Sequence, residues 1–189
     1  MPLRIPYNDS RMGQAKSTKR RSSARGLMLH FTSDIDATLG LGLGYHAIAI
    51  GGVVWLLAEP EAVVSHCKGY NTSHIGVSIA TEGLRHSEVE GAVRAYHRKQ
   101  QRWMWQRRYE VDDLEAMAHH CAKLLRDYCG GADAEVLGHD EVNAAKNDPG
   151  PAFPRQAWTA LVRRLAAGDT VEREEFEALE PELYGEEGP

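Results

Sequence analysis

Apolar residues recur along this chain in two rhythms, and the change of rhythm marks out its elements. GLMLHFTS (26–33) is a short apolar run that stops in polar residues, the pattern of a buried strand with His30 near its end. In YHAIAI (45–50) large apolar and small residues alternate. GGVVWLLAE continues across Gly51–Gly52, a two-residue turn signal, so the two runs read as a hairpin. A loop over Lys68–Ser73 leads into another apolar strand, Ile75–Ala80. From Asp112 to Cys129 the spacing becomes helical: Leu114, Met117, Ala118, Cys121, Leu124, Leu125 and Tyr128 share one face. Acidic residues open this helix and Gly130–Gly131 close it, as dipole and capping rules expect. AEVLG (134–138) reads as a strand, and Gln156–Ala167 as a short amphipathic helix with Trp158, Leu161, Val162 and Leu165 inward. Strands and helices in this order predict an α/β protein.

Two stretches fit the pattern less cleanly. RHSEVEGAVRAYHRKQQRWMWQRRYE (85–110) interleaves cations with Tyr96, Trp103, Trp105 and Tyr109. Such interleaving can stack on bases or sugars, but the favoured reading is a helix whose aromatics pack on the sheet while its cations reach outward. VEREEFEALEPEL (171–183) is compatible with a further acidic helix and is read as a peripheral tail, with Phe176 and Leu179 its only strong anchors.

Composition narrows the class. The chain has 189 residues, 42% hydrophobic and 26% charged, as in a soluble globular protein of one domain. Its net charge of −5 argues against a dedicated nucleic-acid partner. Three cysteines, Cys67, Cys121 and Cys129, make no disulfide framework and fit a reducing compartment. No apolar run approaches the length of a membrane span. Charge is uneven: residues 1–25 carry Arg4, Arg11, Lys16, Lys19, Arg20, Arg21 and Arg25 against Asp9, whereas acidic residues dominate 169–189. The N-terminal segment has no apolar core typical of a secretory signal, so it is expected to be a flexible basic tail and the protein to accumulate in the cytoplasm. The glycines Gly40, Gly42 and Gly44 are not a phosphate-binding fingerprint, because no helix signal follows them.

The candidate chemistry lies in VLGHDEVNAAKNDPGPAF (136–153), which places His139, Lys146 and Asp148 within ten residues. An imidazole and a carboxylate are ordinary Zn²⁺ ligands, and a catalytic zinc takes three protein ligands plus one open position. The pair therefore asks for a third ligand. His30, at the end of a core strand, could be that ligand or an ordinary hydrogen-bonded histidine. His119 and His120 are expected on the helix surface. Cys67 lies between His66 and Lys68, but no positioned partner supports a Cys–His hydrolase.

Three blocks, GYHAIAI (44–50), SHCKGYNTSHIGVSI (65–79) and HDEVNAAKNDPGPAFP (139–154), resemble the N-acetylmuramoyl-L-alanine amidases, in that family's order. Phage amidase lysozymes and peptidoglycan recognition proteins share its fold. The resemblance spans roughly residues 27–158 and fades over 82–109. It implies a single domain (26–168) with a central mixed β-sheet flanked by helices. It also implies Zn²⁺ held by His30, His139 and Asp148, and Tyr45 and Lys146 as catalytic groups. His66, Lys68 and Asn71 are the implied substrate contacts. The implied activity is hydrolysis of the amide between N-acetylmuramic acid and L-alanine, as in a phage endolysin, by a monomer whose partner is peptidoglycan or muropeptide. The alternative is a module that binds peptidoglycan without cutting it. One departure stands out: the segment between His30 and Gly44 is too short and glycine-rich for the helix usual in the family, which predicts a more open groove.

Overall fold

Seven strands and four helices make up the computed structural model, which describes residues 19–32, 44–81, 86–88, 90–97 and 100–180. They follow the order β1 (Gly26–Thr32), β2 (Ala47–Ile50), β3 (Val53–Leu56), β4 (His74–Ala80), β5 (Val93–His97), β6 (Arg102–Gln106), α1 (Val111–Tyr128), β7 (Glu135–Gly138), α2 (His139–Val142), α3 (Arg155–Ala167) and α4 (Arg173–Glu177). The main sheet runs β3-β2-β4-β1-β7. β1 lies parallel between β4 and β7, β2 is parallel to β4, and β3 returns antiparallel, so the sheet is mixed. The β2–β3 turn uses Gly51 (φ 61°) and Gly52 (φ 73°), where a side chain would be strained.

Alternation along the strands separates the two faces. Leu27 and Leu29 of β1, Ile75, Val77 and Ile79 of β4, and Ala47 and Ala49 of β2 enter one core with α1 and α3, centred on Met117, Leu125, Trp158 and Val162. His30, next along β1, therefore turns to the face away from the helices. Between their apolar partners β1 and β4 are buried nearly throughout, as central parallel strands should be.

Three expectations need correction. Residues 93–106 are a hairpin, β5–β6, forming a separate two-stranded sheet rather than a helix. Its apolar positions Val93 and Ala95, then Met104 and the buried Gln106, recur every second residue, and that period belongs to a strand. The acidic segment is better anchored than a peripheral tail: Phe176 and Val171 are buried in the core, and Arg173 pairs with Asp112 and Glu115 on α1. At the other end, Arg21 is locked into the domain, donating to the carbonyls of His74, Ala62 and Asn71, so residues 19–25 belong with the fold. The segment 33–43, with the expected open side of the groove, and the basic residues 1–18 lie outside the described residues. Among the described residues no helix is long and apolar enough to cross a membrane.

Candidate metal centre

Strand pairing brings distant residues to one point. Leu29 is paired with Gly138, so the chain leaving β7 begins α2 with His139 beside His30. The loop then returns, fastened where the Asp140 N–H donates to the Asp148 carbonyl at 2.9 Å. Asp148 Oδ2 ends 2.8 Å from His30 Nδ1 and 3.0 Å from His139 Nδ1. All three ligand-type atoms lie within 4.8 Å of one another, with both histidines buried. The structure thus brings together the three residues that the resemblance implied as ligands.

The far side of His30 sets which nitrogen is free. Its Nε2 lies 3.3 Å from His66 Nδ1, and His66 Nε2 lies 3.0 Å from the His74 carbonyl oxygen. A carbonyl only accepts, so neutral His66 carries its proton on Nε2 and accepts at Nδ1. His30 then donates from Nε2, leaving a lone pair on Nδ1 facing the Asp148 carboxylate. Two acceptors 2.8 Å apart repel each other, and a cation between them resolves the conflict. Two imidazole nitrogens and a carboxylate oxygen suit Zn²⁺. Burial lowers the His30 pKa despite the neighbouring Asp148 carboxylate, which favours the neutral form. Burial likewise pushes His66 down to about 2, with His30 adding to the effect. For Asp148 burial works upward, but its contacts to His139 and His30 outweigh it and hold the carboxyl well below its ordinary range.

His66 needs room, and Gly76 provides it: a Cβ there would sit 2.6 Å from His66 Cγ. Asn71 Oδ1 accepts from the backbone N–H of His66 at 2.9 Å and of Cys67 at 2.7 Å. His66 and Asn71, expected as substrate contacts, are engaged in holding His30 and their own loop. Lys68, the third expected contact, is exposed. His46 points away from the cluster: its Nδ1 accepts from Gly76 N–H and its Nε2 meets the Ala62 carbonyl at 2.9 Å.

On the other side of the cluster stand Tyr45 and Lys146. The Tyr45 ring lies 4.8 Å from that of His30, and burial, with the Asp148 charge, pushes its hydroxyl up to about 12, so it stays protonated. Lys146 is exposed two residues before Asp148, and its positive charge acts on His30. Cys67 is buried and its thiol is pushed upward, by burial first and then by Asp148, the opposite of an activated nucleophile. His119 and His120 lie on α1, behind the sheet.

Several supports of the ligand loop escaped the sequence reading. Arg155 grips Asp140 through both carboxylate oxygens at 2.8 and 2.9 Å, fixing the residue after His139. Glu141 accepts from the Gly138 N–H, closing the first turn of α2. The Pro149 carbonyl takes two buried donors, Gln106 Nε2 at 2.9 Å and Tyr109 OH at 2.7 Å. Asn147 Nδ2 donates to the Tyr96 carbonyl at 2.8 Å. Only the HDE run hinted at any of these; Gln106 and Tyr109 sit in a stretch read as a helix.

Known structures share this architecture. LysCS, an endolysin N-acetylmuramoyl-L-alanine amidase from Clostridium intestinale, superposes with a TM-score of 0.58 at 18% identity, over 85% of this chain and 95% of its own. AmpDh3 of Pseudomonas aeruginosa, in complex with anhydromuramic pentapeptide, gives 0.57 at 17% identity, over 83% of this chain and 66% of its own. Drosophila PGRP-LB, as a tyrosine-to-phenylalanine mutant in complex with tracheal cytotoxin, gives 0.53 at 14% identity, over 74% and 83%. No curated protein sequence matches the chain. The fold is thus that of the amidase and peptidoglycan-recognition domains. Within that class the N-acetylmuramoyl-L-alanine amidase family model matches residues 7–151, and the chain belongs to this family. It is a peptidoglycan amidase.

Proposed function

We propose that this amidase is a phage endolysin that uses Zn²⁺, held by His30, His139 and Asp148, to hydrolyse the amide between N-acetylmuramic acid and L-alanine. The observation that carries this reading is the convergence of two Nδ1 atoms on Asp148 Oδ2, with the His66 relay leaving a lone pair on His30. When bound, the metal polarises the scissile carbonyl and makes water a competent nucleophile near neutral pH. The chain's own groups serve the charge that develops on the carbonyl oxygen. The Tyr45 hydroxyl, protonated at any working pH, donates a hydrogen bond to it. Lys146 contributes a full positive charge from the exposed side, where substrate enters. Such preorganised donors are often the largest catalytic term, because they favour the transition state over bound substrate.

The substrate class draws support from the muropeptides bound to AmpDh3 and to AmiD of E. coli. Mass spectrometry of digested peptidoglycan tests the reading: new N-terminal L-alanine and free lactyl carboxylate are expected. Glycosidic or peptide cross-bridge cleavage overturns the bond assignment. Retention of muropeptide without any product identifies a binding module instead.

A further inference from the structure

The hairpin β5–β6 has two unlike faces. Residues directly opposite in an antiparallel pair share a face. Val93, Ala95, Met104 and Gln106 are buried, and Gln106 reaches from this face to the Pro149 carbonyl. The opposite face pairs Arg94 with Trp105 and Tyr96 with Trp103. These rings order one another: Tyr96 stands edge-on to Trp103 at 5.6 Å, and the Arg94 guanidinium lies 5.2 Å from the Trp103 ring centre. Among the described elements, β5 and β6 pack substantially only on each other, so no helix or strand covers this face. Two tryptophans and a tyrosine, each half-buried, are arrayed on this side and stand outside the hydrophobic core. Ordered aromatic patches of this kind mark binding sites.

We infer that the Arg94–Tyr96–Trp103–Trp105 face is a docking platform for the glycan strand of peptidoglycan, a neutral polymer of N-acetylated amino sugars. The inference rests on the amidase reading above. Pyranose rings present C–H faces that stack on aromatic rings, and the Arg94 guanidinium, lying over the Trp103 ring, donates to hydroxyl and acetamido oxygens. Position selects this occupant. The hairpin that carries the platform is fastened to the ligand loop on both sides of Asp148, through Asn147 to the Tyr96 backbone carbonyl and, from the opposite face, through Gln106 to the Pro149 carbonyl. The scissile amide hangs from a sugar of the same polymer, so a strand presenting its amide to the cluster runs beside the hairpin. A nucleic acid is the poorer occupant: this face carries one arginine and the chain a net charge of −5.

A titration of the full-length protein with chitohexaose, a β-1,4 N-acetylglucosamine oligomer without a muramoyl amide, reads this platform directly through indole NMR shifts. Saturable shifts of the Trp103 and Trp105 signals are expected, weakened about tenfold in Trp103→Ala and largely retained in Trp103→Phe, the size of one lost stacking contact. On intact sacculi the half-saturating substrate concentration of Trp103→Ala should rise about tenfold, well beyond its loss on a single-sugar muropeptide. The idea is overturned if chitohexaose shifts neither indole, or if Trp103→Ala loses both substrates equally, which would make the ring a prop for the ligand loop. It is equally overturned if a single-stranded oligonucleotide binds more tightly than the sugar, or if the face proves to mediate dimers that Trp103→Ala dissolves. Should the protein cut no amide at all, the chitohexaose titration still judges the platform separately from the catalytic reading.

Discussion

The two sides of His30 differ in kind. Behind it runs a chain of protein partners: Nε2 meets His66, His66 meets the His74 carbonyl, and Arg21 gathers the neighbouring carbonyls. In front, the His30 lone pair faces the Asp148 carboxylate, with the Tyr45 ring 4.8 Å away and the exposed Lys146 two residues along the loop. A structural histidine would be saturated on both sides. The asymmetry is what separates a site from a core residue, and it can be attacked from either side.

The largest effect is expected from the front. Substituting His139→Ala removes one of three ligands, so Zn²⁺ should fall from about one per chain to none on elemental analysis, and activity should vanish with it. His119→Ala, on the far side of the sheet, should keep its metal. Retained zinc in His139→Ala would mean that the ligand set is wrong.

Next come Lys146→Ala and Tyr45→Phe. Both should keep zinc and lower turnover by roughly 10²–10³, the usual loss for one transition-state donor. A fully active Lys146→Ala sinks its catalytic role, while loss of metal would make it a support of the loop.

The back should act through affinity instead. His66→Ala removes the acceptor that holds His30 in its ligating tautomer, and competition with a chelator should show metal bound about 10–100-fold more weakly, as for other orienting partners of metal-bound histidines. Glutamine can both accept from His30 and donate to the His74 carbonyl, so His66→Gln should recover part of the affinity. Equal zinc affinity in all three proteins would refute the relay.

The smallest effect is a pH slope. Burial holds His46 down to about 4, against its ordinary 6.5. Between those values the unfolded chain takes up a proton that the native protein does not, so stability rises with pH across the window and is lost as pH falls. The slope is at most about 1.4 kcal/mol per pH unit from this group. Urea melts of metal-free protein from pH 4 to 7 should show it, and His46→Gln should make the slope shallower by this share while His66 and His120, which burial also holds down, keep the rest.

How much of this was legible beforehand depended on distance along the chain. Strands β1, β2 and β4 and helices α1 and α3 announced themselves by local periodicity. Their joining into one sheet, and the grouping of His30 with His139 and Asp148, came from ordered motif resemblance, since no local pattern links residues 118 positions apart. The hairpin was misread because Tyr96, Trp103 and Trp105 occupy the outer positions where polar residues would mark a period of two, and half-buried aromatics look like a helix's inner face. His66 and Asn71 were read as substrate contacts; their hydrogen bonds to His30 and to the backbone depend on tertiary structure and left no mark in the sequence. The Arg155–Asp140 clamp had no signature, because its partners meet only once α3 packs.

Gly76 carries a further consequence. Its empty side is the mould in which the His66 imidazole lies, so positions 66 and 76 cannot vary independently. A side chain at 76 evicts the ring, and a smaller residue at 66 leaves a hollow beneath the ligand that only a larger residue at 76 could fill. Across related sequences these two sites should therefore change together or not at all. A lineage that abandons catalysis is freed to fill the mould, so a bulky residue at 76 would serve as a mark of lost metal in a descendant whose three ligands are still intact.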